Sequence, residues 1–196
     1  VLVSNKKGVI AMKRNMQSVW AILMIAILSS IGMARVAVAA SAGEIDTKVN
    51  GTLDVFKAEV PGGAEFLGKA KGVLTFPTIT KAGLVVGGEF GEGALRIDGK
   101  TVDYYNIASA SFGFQIGAEQ YSIVMVFLTD EALSEFRASK GWEAGVDATV
   151  AVAQWGAGDD INTKKFKDLV VAFVFGNKGL MAGVSIEGSK ITKVEK

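Results

Sequence analysis

Residues 84–95 read LVVGGEFGEGAL, with Gly87, Gly88, Gly91 and Gly93 inside seven positions. Glycine at this density fits either a loop that wraps a phosphate or a strand that bends sharply. The phosphate reading fails on its own spacing. Gly83 and Gly88 stand five apart, as in a P-loop, but Glu89 and Phe90 follow where Lys and Ser/Thr are required. Gly99-Lys100-Thr101 has Ala94, not glycine, at the matching upstream position. A dinucleotide fingerprint through Gly91 and Gly93 needs a third glycine where Arg96 stands. No nucleotide is expected. Glycine inside a strand marks a bulge or a close backbone approach, and Gly113, Gly117, Gly145 and Gly183 recur in other strand-like segments. The stretch therefore predicts a strongly curved sheet.

The sequence on either side agrees. From Gly72 onward, segments such as GVLTFP, GALRID, TVDYYNIASA, YSIVMVFL, DLVVAFVFG and KITKV are rich in Val, Ile, Phe and Tyr and are separated by turn residues. Asp98-Gly99 is a two-residue hairpin signal. One helix interrupts: Thr129 is placed to cap DEALSEFRAS, and Gly141 ends it. WEAGVDATVAVAQ reads as a strand, and residues 155–167 as the longest loop. Before Gly72 the period is helical. Ser41 to Glu44 has capping-box spacing, and Ile45, Val49, Leu53, Phe56 and Val60 form one apolar stripe up to Pro61-Gly62-Gly63. A second short helix is expected over 64–71. The fold class is α+β: N-terminal amphipathic helices, then a strongly curved, barrel-like antiparallel meander with one inserted helix. The apolar stripe packs on the domain or lies on a membrane, in which case Val49, Leu53 and Phe56 make the contact.

Residues 12–39 have the form of a signal peptide. Lys13 and Arg14 precede an uncharged apolar run over 19–34, and VAVAA ends it with small residues. Cleavage is expected after Ala39 or Ala40, giving a periplasmic or secreted protein; an uncleaved anchor is the alternative. Residues 1–11 read as an over-extended reading frame. The expected organisation is then a helix over 40–63 and a domain over 64–196.

Composition narrows the chemistry. The 196 residues contain no Cys and no His. Thiolate and imidazole metal sites and Ser-His-Asp or Cys-His catalysis are excluded. Residues 1–39 carry five basic residues and no acid, which leaves 16 basic against 20 acidic residues beyond them. That balance argues against nucleic acid, whose nonspecific binding depends on phosphate neutralisation. Glu89 and Glu92 stand three apart and so face opposite sides of a strand, which weakens them as a catalytic pair. Asp159-Asp160 with Asn162 lacks calcium-loop spacing and reads as a turn. No metal, no cofactor and no catalytic residue are expected. Two basic groups remain as candidates for an anionic head group: Lys69 and Lys71 with Lys81 further on, and Lys164, Lys165 and Lys167. Tyr104, Tyr105 and Trp142 read as core or rim aromatics.

The blocks KGVLTFPTITKAGLVVGGEFGEGAL, TVDYYNIASASFGFQIGAEQYSIVMVFLTDEAL, GWEAGVDATVAV and FVFGNKGLMAGVSIEGSKI, in that order, resemble the SYLF domain. This is a lipid-binding domain, also described as the yeast Las17-binding actin-regulator domain. The resemblance covers about residues 64–193. It implies non-catalytic binding of anionic phospholipids or phosphoinositides at a membrane surface. With a signal peptide ahead of it, the chain is similar to a bacterial envelope version. The expected partner is a phospholipid membrane. The alternative is an envelope protein bound through an exposed apolar face.

Overall fold

A computed structural model describes residues 39–83, 86–112, 117–153, 170–176, 179–180 and 185–196. Residues Val1–Ala39 and Ala40–Lys196 form two separate units, and the second carries the fold described below. The signal-peptide reading, the 155–167 loop and Lys164, Lys165 and Lys167 lie outside the described residues.

Helix α1 spans Ala42–Glu59. Ser41 caps it, its Oγ accepting from the Glu44 N–H at 3.4 Å, so the capping-box expectation holds on that side. Val60 turns extended and Pro61-Gly62 follows, with Gly62 at φ 75°. Helix α2, Gly63–Lys69, begins at once.

Strands β1 (Gly72–Gly83), β2 (Val86–Ile97), β3 (Lys100–Phe112) and β4 (Gly117–Phe127) carry most of the sheet. Helix α3, Asp130–Ala138, follows β4 and is capped by Thr129, whose Oγ accepts from the Ala132 N–H at 3.2 Å. The short strands β5 (Trp142–Glu143), β6 (Val150–Ala153), β7 (Val170–Gly176), β8 (Gly179–Leu180) and β9 (Lys190–Val194) complete it. The order is β5-β9-β3-β2-β1-β4-β7-β6, with β8 on β7.

The order corrects the expected meander in two places. β4 pairs with β1 rather than β3, so β4-β1-β2-β3 is the spatial order of a Greek key. β6 pairs with β7 in parallel, which makes the sheet mixed. The segment from Trp142 to Ala153 is also two strands, not one. A tight turn divides them, in which Asp147 Oδ2 accepts from the Glu143 N–H at 2.6 Å and Gly145 takes φ 83°.

The curl follows from chain length. β5 and β6 lie at opposite ends of the strand path, about 34 Å apart if the sheet were flat at ~4.8 Å per strand. Only residues 144–149 join them, and several are folded into the turn. The sheet must therefore bend back toward itself.

Two devices inside β1 and β2 make the bend. β1 runs through Pro77 as a central strand, and its register slips between Phe76 and Ile79 against β4 and between Thr75 and Thr78 against β2. A proline cannot donate to the ladder, so it sits at a bulge. The Pro77 carbonyl accepts from Ser122 Oγ at 2.7 Å instead. Opposite the bulge stand the glycines of the LVVGGEFGEGAL stretch. A Cβ on Gly91 would lie 2.9 Å from the Thr78 carbonyl oxygen, and one on Gly93 would overlap the Thr75 carbonyl. β2 is one continuous strand because glycine lets it approach the bulge.

Both faces of the sheet are covered. Along β4, Ile123, Met125 and Phe127 face α3, with Leu133, Phe136 and Trp142, while Val124 and Val126 face α1 and α2, with Phe56, Val60 and Phe66. β7 alternates in the same way. Burial on both sides explains why these strands read as unbroken apolar runs. The α+β class with N-terminal helices, a curled sheet and one inserted helix holds.

Candidate functional site

A groove of about 370 Å³ opens where α1, α2, the start of β1 and the β2–β3 hairpin meet. Its apolar lining comes from Leu53 of α1, Leu67 and Ala70 at α2, and Val73 of β1. Lys57, Lys71 and Arg96 bring three cations to the same groove, and Asp98 and Gly99 bring the hairpin turn. Asp98 and Gly99 take φ values of 50° and 74°, as the Asp-Gly signal predicts for a type I′ turn.

Arg96 is the fixed element. Its Nη1 donates to Asn50 Oδ1 at 2.7 Å, its Nη2 to the Asp46 carbonyl at 3.4 Å and its Nε to Thr101 Oγ1 at 3.4 Å. None of these acceptors is a carboxylate, and among the described residues two of the five guanidinium N–H groups have no acceptor. Asp46 is occupied elsewhere: its carboxylate accepts from Thr101 Oγ1 at 2.8 Å and from the Tyr104 hydroxyl at 3.0 Å. Burial and that hydrogen bond hold the Tyr104 phenol above its ordinary pKa. Lys57 and Lys71 pair with Asp54 and Asp130 at 3.4 and 3.3 Å, and both acids are more than three-quarters exposed. Such surface pairs contribute about 0–1 kcal/mol, so an anionic ligand can displace the acid with little loss.

The remaining sequence-predicted residues lie elsewhere. Lys69 sits on α2 and pairs with Glu65 at 2.7 Å. Lys81 is ten residues along β1 from Lys71, about 33 Å at ~3.3 Å per residue, so the two do not share a site. Lys81 belongs to a polar cluster near the far end of β1. Its Nζ lies 3.1 Å from Glu89 Oε1, and Glu89 Oε2 accepts from the Tyr121 hydroxyl at 2.6 Å and from Ser109 Oγ at 3.2 Å. Burial, reinforced by Glu89, pushes the Tyr121 phenol far above its ordinary pKa. This cluster continues the α3-facing side of the sheet beyond Ile79 and Ile107. Glu92 faces the other way, toward α1, where it meets Ala40 and Lys196. The opposite-face reading of the two glutamates is borne out.

Val49 and Phe56 have no exposure at all, and Leu53 is half-buried. Phe56 packs edge-on to Phe173 with ring centroids 5.0 Å apart. The stripe is spent on the sheet, so a membrane contact through Val49 and Phe56 would require α1 to leave it. Tyr105 and Trp142 are core residues around Phe136. In the fold Lys71 shares its groove with Lys57 and Arg96, two residues the sequence did not single out, and not with Lys81. The one signal for Arg96 was its place two residues before the Asp-Gly turn, which fixes it across the β1–β2 ladder from Val73.

Comparison with known proteins places the domain. Residues 108–196 match the model of the family described as Ysc84, Las17-binding protein actin regulator. The SH3 domain-containing YSC84-like protein 1 of Homo sapiens is 34% identical over 131 residues, covering 64% of this chain and 38% of that protein. The proteins of the same name from Rattus norvegicus and Bos taurus are 32% and 31% identical over 131 residues, with the same coverage. The chain spans well under half the length of these curated relatives. Over residues 108–196 the chain matches the Ysc84, or SYLF, domain.

Proposed function

We propose that this domain binds anionic lipids at a membrane surface, without catalysis, and that the groove between α1, α2 and the β2–β3 hairpin receives the head group. The observation that carries the reading is the position of Arg96. An oriented guanidinium with unspent N–H groups stands beside Leu53, Leu67 and Val73. A phosphate paired with the guanidinium would leave its first acyl carbons against apolar side chains. Guanidinium suits this role because its planar fork meets phosphate oxygens two at a time. Lys57 and Lys71 flank it and would add about 1 kcal/mol each near an anionic surface.

The family's description names a protein, Las17, as the thing bound. The described surface offers a protein partner only single exposed apolar residues, Val55, Phe90, Val102 and Val146, from different elements. Scattered residues of this kind do not form an interaction face, so the lipid reading is preferred. Cosedimentation with vesicles of neutral phosphatidylcholine, with and without anionic phospholipid, tests it across a salt series. The expected result is binding that requires the anionic lipid and weakens with salt. Equal recovery with both vesicle types would refute it.

A further inference from the structure

Ala40 is held at both of its backbone polar groups. Its N–H donates to Glu92 Oε2 at 3.0 Å, and its carbonyl accepts from Lys196 Nζ at 2.9 Å. Lys196 Nζ also contacts Glu92 Oε1 at 2.5 Å. A carboxylate on β2 thus meets a main-chain nitrogen 52 residues earlier, just ahead of the α1 cap. The amide is a weak match for it. A carboxylate has room for several donors, and one oxygen here receives a single neutral N–H.

We propose that a signal peptidase hydrolyses the chain between Ala39 and Ala40, and that Glu92 is the docking site for the amino terminus this creates. Water adds to the Ala39 carbonyl and the C–N bond breaks. Ala39 leaves as a carboxylate, and Ala40 keeps the nitrogen, which is protonated at neutral pH. The amide–carboxylate bond then becomes an ammonium–carboxylate pair at the same place, with three N–H donors where there was one. Such charge-assisted bonds are roughly twice as strong as neutral ones.

Independent observations converge on this bond. In sequence, Ala37-Val38-Ala39 puts alanine at both positions a signal peptidase reads, after an apolar run led by Lys13 and Arg14. A cut one residue later would put Val38 at the outer position. In structure, the compact unit begins at Ala40. The Glu92 side chain is only 19% exposed and that of Lys196 8%, so water screens the site incompletely. Burial alone would raise the Glu92 pKa, but the Lys196 and Ala40 hydrogen bonds and the charges of Lys196 and Lys48 outweigh it and hold the carboxyl below its ordinary value. The carboxylate is therefore charged and ready for a cation at neutral pH. This assignment also gives Glu92 a purpose that neither the sheet nor the groove supplies.

The test uses the full chain expressed in a bacterium with an export system. The secreted or periplasmic product is purified, and its N-terminus is read by sequencing and intact mass. The expected start is Ala40-Ser41-Ala42-Gly43. The native product is then treated with an amine-acylating reagent near neutral pH, and labelling of the α-amine is followed by peptide mapping. An unpaired α-amine has a pKa of about 7.7–8.0; one held by a carboxylate keeps its proton, and a shift of one unit slows labelling about tenfold. Labelling should be about tenfold slower in the native protein than in Glu92→Gln or in the urea-unfolded wild type, while Glu119→Gln matches wild type. A product that starts elsewhere, Ser41 included, or that keeps residues before Ala40 overturns the proposal. Equal labelling rates in native and unfolded wild type overturn it as well, whether or not the Glu92→Gln variant folds.

Discussion

Replacing Gly93 by alanine adds one methyl group, and the structure fixes what that methyl meets. Gly93 is buried and faces the β1 bulge. The new Cβ would overlap the Thr75 carbonyl and come within 2.7 Å of the Phe76 ring. Phe76 is fully buried and Thr75 is main chain in a central strand, so neither can swing aside. Overpacking of this kind costs about 1–3 kcal/mol, and a backbone obstacle puts Gly93→Ala at the upper end. For a domain of this size each kcal/mol moves Tm by ~2–4 °C, so a fall of roughly 6–12 °C is expected. Gly51→Ala is the control. Gly51 is exposed inside α1, and a Cβ there meets nothing within 4 Å. Removing glycine from a helix interior should stabilise by about 0.5–1 kcal/mol. Urea and thermal unfolding of both variants would show opposite signs for the same chemical change. A Gly93→Ala protein as stable as wild type would refute the view that this stretch is glycine-rich to let β2 approach the bulge.

Three further outcomes follow from the same packing. Phe56→Ala removes a fully buried ring from between Phe173 and Phe175 and should cost about 3–5 kcal/mol in chemical unfolding; a loss below 1 kcal/mol would mean α1 is not docked. Glu89→Ala strips the partner from the Tyr121 hydroxyl, Ser109 and Lys81 and should cost about 1–3 kcal/mol, read as a lower urea midpoint with unchanged slope. All three tyrosines have raised pKa values, with Tyr105 pushed up to about 12 by burial and the nearby Asp103, against the opposing charge of Arg137. A group raised in the folded state contributes its full stabilisation below the unfolded value near 10 and loses it as pH climbs through the folded value. Tyrosinate absorbance of the folded protein should therefore lag behind that of the unfolded chain, and the Tyr105 and Tyr121 part of it should appear together with loss of far-UV circular dichroism; a full three-tyrosine titration near pH 10 in the folded protein would contradict this.

How much of this was legible depended on whether the signal was local. The Ser41 and Thr129 caps, the α1 stripe and the Asp98-Gly99 turn are all written within a few residues, and each stands where the pattern puts it. The strand-like segment GVLTFP stops at Pro77, as a proline normally ends a central strand, yet β1 runs on to Gly83 because the bulge and the Ser122 bond carry it through. The order of β4 beside β1 and the parallel β6–β7 pair leave no trace in periodicity, since alternation records which face is buried and not which strand is adjacent. The site was harder still. Lys71 stood out in a short basic cluster, but its partners Lys57 and Arg96 come from a helix and a hairpin that meet only in the fold. Lys81 looked close in sequence, and an extended strand carries it away. Val49 and Phe56 have the amphipathic pattern of a membrane face and of a core face alike; what buries them, Ala94 for Val49 and the rings of Phe173 and Phe175 for Phe56, comes from strands far along the chain.

The central claim is that Arg96, with Lys57 and Lys71, forms the anionic head-group site. Replacing all three by glutamine removes about 3 kcal/mol at ~1 kcal/mol per cation, roughly a hundredfold in affinity at tenfold per 1.4 kcal/mol. Binding isotherms on anionic vesicles at low salt, for this triple variant against wild type and Lys81→Gln, measure it directly. The account predicts a loss of about two orders of magnitude for the triple variant and wild-type affinity for Lys81→Gln. A folded triple variant that binds as tightly as wild type would contradict it.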